Sequence, residues 1–348
     1  MPAVSIILPL YNGQPFIRHT LLRIRAQTFP DWELLVVDDG SADDGAAIVM
    51  REARKDRRIR LVRKSNGGIS SARNYGIAKA SGKYLAFADQ DDTTGRNWLA
   101  ALMDGMAGDV DLAVGGKKLE AADASGRTVR RRICRYADRL LETETERYGF
   151  LFNQENDASS QHVWNCMYKK ELVNVHGIRF DEQLAMGMED VLFNICYGFY
   201  CKKIHTIPQV VYAYRRRDGT STSTKYDPDP VGGYAHRMQI ISRLCGFSSG
   251  SSAYRMYGNY ALRELCNLYF RSDGDYSGKL LAGLRDVYVE HVPDPAGVCG
   301  IPFGKSFFRR LFYAAAEYSL RKEKYMCMKL LKSITDRYRR NVQPVRRL

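Results

Sequence analysis

Residues 83–95 read KYLAFADQDDTTG, an apolar run from Leu85 to Ala88 followed at once by Asp89, Asp91 and Asp92. Carboxylates this close repel, and each raises its neighbour's pKa unless a cation or a hydrogen-bonding network compensates. A buried strand that ends in so much negative charge therefore predicts a counter-charge at its carboxyl end. In open α/β sheets that end is where ligands bind.

The text on the N-terminal side repeats the same device. VSIILPL (4–10) is a β-branched run stopped by YNGQP, and FIRHTLLRIRAQT carries Phe16, Ile17, Leu21 and Ile24 at helical spacing. WELLVVDDG (32–40) is a second strand ending in Asp38 and Asp39; AAIVMREARKD is helical, IRLVRK a third strand, SSARNYGIAKAS a serine-led helix, and KYLAFAD the fourth strand. Strands alternating with helices predict an α/β fold, a mostly parallel sheet with helices on both faces and right-handed crossovers. The polar strand ends NGQ, DDGS, NGG and DQDD then fall on one edge.

Such an edge describes a nucleotide-type pocket. Asp38 and Asp39 suit a base N–H or a ribose hydroxyl, as acidic residues do in dinucleotide folds. Asn66, Gly67 and the serines of SNGGISSARN place backbone N–H groups at a helix start, and Arg73 offers a fork for a diphosphate. A divalent cation at Asp91, between phosphate oxygens and carboxylates, would supply the missing positive charge.

The arrangement resembles the family 2 glycosyltransferases of GT-A fold. The resemblance rests on VSIILPLYNG, QTFPDWELLVVDDGSADDG, NGGISSARNYGIAKASGKYLAFADQDD, GMEDVLFN and YAYRRRDGTS, in that order, and covers residues 3–220. It implies that Pro9, Tyr11 and Asn12 form the loop over the nucleoside and that Asp39 recognises uracil. It also implies that Asp89 meets the ribose or sugar, that Asp91 holds Mn²⁺ or Mg²⁺, and that Asp190, after Glu189, is the catalytic base. A single displacement with one base and no protein nucleophile would invert the anomeric centre. The donor expected is a nucleotide sugar carrying uridine diphosphate. The acceptor is a glycan or a lipid-linked saccharide, as in bacterial surface-polysaccharide assembly.

Other readings of the same residues stand beside these. DQDDTTG also satisfies the Asp-x-Asp-x-Thr signature of haloacid-dehalogenase-type phosphatases, with Asp89 as nucleophile, although that family places the motif on its first strand. GMEDVLFN is also an acidic helix start, Arg73 also a surface residue, and Trp164, a candidate platform for an acceptor sugar, also a core tryptophan. Arg215 in YAYRRRDGTSTS faces diphosphate or an anionic acceptor in this scheme. The Gln-x-x-Arg-Trp motif of processive synthases is missing, so one sugar per encounter is expected.

The net charge is +14, and from Lys305 onward thirteen Lys and Arg face three acids, a net of +10. A nucleic-acid partner would explain the charge but not the acidic cluster, and is not expected. The reading divides the chain into a GT-A domain, 1–230, and a helical, basic region, 231–348. In the latter, Phe307, Phe308, Leu311 and Phe312, then Met326, Leu330, Leu331 and Ile334, form apolar stripes among basic residues, a pattern suited either to an anionic membrane surface or to packing. The eight cysteines lack metal-ligand spacing and read as free thiols. With no basic leader and no apolar run of spanning length, the expected location is the cytoplasm, peripheral on the inner membrane face if the tail binds lipid.

Overall fold

A computed structural model describes residues 1–123, 127–152, 162–184, 187–217, 228–246, 251–271, 278–293, 315–322 and 328. The chain divides into two compact units, Met1–Leu151 with Asn156–Lys225, and Phe152–Glu155 with Tyr226–Leu348.

The first unit opens with β1 (Val4–Leu10), α1 (Ile17–Arg25), β2 (Trp32–Asp38), α2 (Gly45–Ala53), β3 (Ile59–Arg63), α3 (Gly68–Lys79) and β4 (Tyr84–Phe87). These four strands pair in the order β3-β2-β1-β4, parallel throughout. β1 and β2 are buried on both faces, which is why they read as continuous apolar runs rather than alternating ones. Ile6, Leu8, Leu34 and Val36 belong to one core with Ile17, Leu21 and Ile24 of α1 and Val49 of α2. On the other face α3 lies close to the sheet, because a Cβ at Gly76 would stand 2.4 Å from Ile7.

The unit continues with β5 (Thr93–Thr94), α4 (Trp98–Gly105), β6 (Leu112–Ala122), β7 (Thr128–Cys134), β8 (Arg139–Leu141), α5 (Glu144–Phe152), β9 (Cys166–Lys169), α6 (Lys170–Val175), α7 (Glu189–Tyr200) and β10 (Ile204–Arg217). They extend the sheet to ten strands, β3-β2-β1-β4-β9-β6-β10-β5, with β7 on β6 and β8 on β10. Parallel pairing therefore holds for the nucleotide-type half. β9 enters antiparallel between β4 and β6, so the second half is mixed. Phe87, Tyr168, Phe180 and Phe193 interlock edge-to-face and stacked, fixing α7 against β4 and β9.

One buried acid ties the lower ends of β1, β2 and β4 together. Glu33 accepts from Ser5 Oγ, from the N–H and hydroxyl of Ser81, and from Arg60. Burial alone would raise its pKa, but these bonds from Ser5, Ser81 and Arg60 hold it below the usual glutamate range. Glu33→Ala should lower stability by about 2–3 kcal/mol, read by denaturant unfolding, because buried donors lose a charged acceptor. A depressed folded pKa contributes stability above the unfolded value. The difference between wild type and variant should therefore shrink as pH falls through the folded one.

The second unit contains α8 (Pro230–Cys245), α9 (Ser252–Arg271), α10 (Gly278–His291) and helix at 315–321. Asp229 caps α8 by accepting the Gly232 N–H. Tyr234, Tyr257, Tyr260, Leu265, Tyr288, Ala316 and Leu320 are buried. Apart from 315–322 and 328, the basic stretch from Lys305, including both apolar stripes named above, lies outside the described residues. Among the described residues no helix is long and apolar enough to cross a membrane, and Cys134, Cys166, Cys196, Cys201 and Cys266 are free thiols.

Candidate active site

The loops after β1, β2 and β4 are joined side chain to backbone. Gln90 accepts the Tyr11 N–H at 2.9 Å and donates to the Tyr11 carbonyl at 3.1 Å. Asn12, held at φ 47°, donates its N–H to Ser41 Oγ and accepts from the Ala42 N–H. Thr20 donates to the carbonyls of Gln90 and Asp92. Pro9 lies in β1 beside Val37, and Tyr11 is 51% exposed at the mouth.

Asp39 closes this edge against α3. Its carboxylate accepts the N–H groups of Gly67 and Gly68 and the Lys64 ammonium at 2.7 Å, while Asn66 donates to its carbonyl. Gly68 has φ +85°, a conformation that favours glycine. The N–H groups of Gly67 and Gly68, expected to cradle phosphate, are thus engaged by Asp39. A carboxylate at a helix N-terminus satisfies orphan donors and complements the dipole.

Arg73 also differs from its expected role as a diphosphate fork. It is 1% exposed, stands over the Phe180 ring, and pairs with three carboxylates: Nη2 with Asp89 at 3.0 Å, Nη1 with Glu189 at 3.0 Å and with Asp190 at 2.5 Å. Burying a guanidinium away from its partners is prohibitive, so the chain places it where three acids converge. Arg73 is thus one counter-charge demanded by the strand end at Asp89. Its pKa is raised by Asp190, Asp89 and Glu189 against the opposing effect of burial. Burial pushes Asp190 well above the usual aspartate range; Arg73 opposes that shift, and Glu189 and Asp89 add to it.

Asp190 is the second residue of α7, entered through Met188 at φ 70°, and its other oxygen accepts the Val163 N–H at 3.4 Å. The acidic helix start and the carboxylate cluster are the same residues. β10 supplies the opposite wall: Tyr212 accepts the Asp89 N–H through its hydroxyl, and the Arg215 N–H donates to Asp92. Asp91, partly exposed, stands between these two anchored acids.

Trp164 is no sugar platform. It is 2% exposed and stacked with His162 at 4.7 Å and Tyr212 at 4.5 Å, with the Lys117 ammonium 6.0 Å from its ring. Burial pushes His162 well below the usual range, with Lys117 and Arg73 adding to the effect, so it is neutral at pH 7. The structure thus brings Arg73, Asp89, Glu189 and Asp190 into direct contact and sets Pro9, Tyr11, Asn12, Asp39, Asn66, Gly67, Asp91 and Arg215 around them on the same sheet edge. Gln90 and Tyr212 were missed. A glutamine inside a carboxylate motif carries no signal of its own, and Tyr212 reads simply as strand.

Residues 5–177 match the family Glycosyl transferase family 2, and the chain carries a glycosyltransferase domain of that family. Among curated relatives, the uncharacterized glycosyltransferase EpsJ of Bacillus subtilis (strain 168) is 32% identical over 229 residues, 66% of this chain and 65% of its own length. The minor teichoic acid biosynthesis protein GgaB of the same organism is 30% identical over 62% of this chain and 23% of its length. The match spans less than two thirds of either relative. Among solved structures, S. aureus TarS 1-349 in complex with UDP-GlcNAc superimposes with a TM-score of 0.73 at 18% identity, covering 96% of this chain and 91% of that one. The fold is GT-A with a helical C-terminal region.

Proposed function

We propose that the protein is an inverting, metal-dependent glycosyltransferase that moves a sugar from a nucleotide sugar, a UDP-sugar by preference, to a glycan or lipid-linked saccharide in bacterial polysaccharide assembly. The carrying observation is the single guanidinium of Arg73 shared between Asp89, on the strand-end loop of the nucleotide-type half, and Asp190 at the start of α7. It holds a donor-side acid and an acceptor-side acid at one point, where a leaving group and an attacking hydroxyl must flank one carbon.

Asp39, whose carboxylate accepts the Lys64 ammonium and the N–H groups of Gly67 and Gly68, is in this reading the group that meets the uracil N–H. Among the described residues no group of three or more His, Cys, Asp or Glu is arranged to hold a metal alone. The partly exposed, oxygen-only donor Asp91 nonetheless fits a hard ion that takes one or two carboxylates and completes its shell with phosphates and water. Bound there, Mn²⁺ or Mg²⁺ would neutralise charge on a departing diphosphate. Asp190 takes the acceptor proton, and Glu189 and Arg73 orient it. The titre of positive charge in the tail supports a peripheral position at an anionic membrane surface on the cytoplasmic side.

The family match through residues 89–93, which follow the fourth strand rather than the first, supports glycosyl transfer and lends nothing to the phosphatase reading. Calorimetric titration with UDP should show Mn²⁺-dependent binding that EDTA abolishes and that Asp91→Ala weakens about tenfold or more, with GDP binding weaker. Metal-independent binding, or an unaffected Asp91→Ala, would remove Asp91 from the metal role.

A further inference from the structure

The residue between Asp89 and Asp91 is a glutamine, and its side chain turns from the acidic loop to the loop after β1. Gln90 Oε1 accepts the Tyr11 N–H at 2.9 Å, and Gln90 Nε2 donates to the Tyr11 carbonyl at 3.1 Å. A primary amide carries a donor and an acceptor on one carbon, whereas an ionised carboxylate only accepts and a thioether accepts weakly. Both bonds to one backbone residue therefore need an amide of this reach.

The acidic loop that bears Gln90 is itself anchored. The Tyr212 hydroxyl accepts the Asp89 N–H at 2.9 Å, the Thr20 hydroxyl donates to the carbonyls of Gln90 at 2.8 Å and Asp92 at 3.2 Å, and the Arg215 N–H donates to the Asp92 carboxylate at 2.9 Å. On its other side the loop after β1 is tied to the loop after β2, through Asn12 to Ser41 and Ala42 and through Gln14 to Asp43 and Asp44. Tyr11 and Asn12, both exposed, are thus held between two fixed loops, and Gln90 makes the link to the acidic one. The chain makes room for that link at Gly13, which is buried: a Cβ there would collide with the Gln90 side-chain oxygen, and would stand 2.7 Å from Leu10 Cδ1. Both obstacles are ends of flexible side chains, so an added methyl group would push the amide away from Tyr11 without a backbone shift.

We infer that Gln90 is a positioning residue of the donor site: its amide sets the spacing between the loop that meets the nucleoside and the loop that meets the diphosphate and its metal, so that one nucleotide satisfies both. The inference rests on the reading of the Tyr11 and Asp91 loops as the nucleoside and metal sides of that site. A ligand that spans two loops gains affinity over its halves only where the spacing between them is fixed in advance. Gln90 therefore matters to a nucleoside diphosphate and much less to a nucleoside, which reaches the first loop alone.

The test is titration of the full chain with UDP and Mn²⁺ by calorimetry, and with uridine by ligand-observed NMR. Gln90→Met keeps the reach and bulk of the side chain without either bond, and should weaken UDP about tenfold or more but uridine by no more than about threefold. Gly13→Ala, which displaces the amide from the other side, should reproduce that pattern. Added to Gln90→Ala, it should cost no more than about a further twofold in UDP affinity, because the two changes remove the same link. Equal losses of UDP and uridine would mean that the loop has collapsed rather than lost its spacing, and additive losses would mean that Gly13 and Gln90 act separately; either overturns the inference. A wild type that binds no UDP overturns the donor reading and this inference together. A wild type that binds UDP beside a Gln90→Met that binds it equally well overturns the inference alone.

Discussion

Asp190→Asn is expected to lower kcat by about 10²- to 10⁴-fold while Mn²⁺-dependent UDP affinity stays close to wild type. The amide keeps the shape of the carboxyl group and its Val163 contact but cannot take a proton from an attacking hydroxyl. Asp190 is buried beside two further acids, and burial, then Glu189 and Asp89, hold its pKa above the usual aspartate range against the pull of Arg73. A base must be ionised to act, so kcat should rise with pH through this elevated value rather than through the ordinary range near ~3.9. Glu189→Gln removes one of the charges that raises it, so the acid limb should move to lower pH. Steady-state kinetics across pH check both signs. An active asparagine variant, or a limb that moves upward in Glu189→Gln, would take the base role away from Asp190.

The nucleotide-type half was legible because each of its strands is a run of buried residues stopped by polar ones. VSIILPL, WELLVVD, IRLVR and YLAF all fall in the observed strands, and DDG and DQDD at their carboxyl ends. The start of α7 was legible too, since Glu189 and Asp190 precede a helical apolar pattern. What sequence could not carry was pairing over distance. Arg73 stands 116 and 117 positions from Glu189 and Asp190, and nothing local distinguishes an arginine that folds inward from one facing solvent. Trp164 failed for a related reason. An amphipathic ring suits both a sugar platform and a core, and only the seating of His162 and Tyr212 against it decides. The mixed half stayed opaque because β9 threads between β4 and β6 from far along the chain, a choice set by tertiary packing rather than by pattern.

Arg73→Ala should be the most destabilising single change in the site, by about 3–5 kcal/mol, because it strips the cation from a buried cluster and leaves its acids facing one another. Asp89, Glu189 and Asp190 arrive from two separate elements, the loop after β4 and the start of α7, and the guanidinium is their common partner. Its loss therefore loosens the approach of α7 to the sheet edge as well as removing charge. Arg73→Lys should recover only part of this. One ammonium cannot reproduce the planar fork that gives Nη2 to Asp89 and Nη1 to the α7 pair. The pH dependence identifies the cause. Without Arg73 the effect that opposes the raised pKa of Asp190 is gone, so its ionised form costs more to bury. The alanine variant should then lie furthest below wild type near neutral pH and approach it as the medium is acidified and Asp190 takes up a proton. Urea unfolding of both proteins at pH 5 and pH 8 measures this, and a deficit that is the same at both would mean that Arg73 stabilises through packing on Phe180 instead.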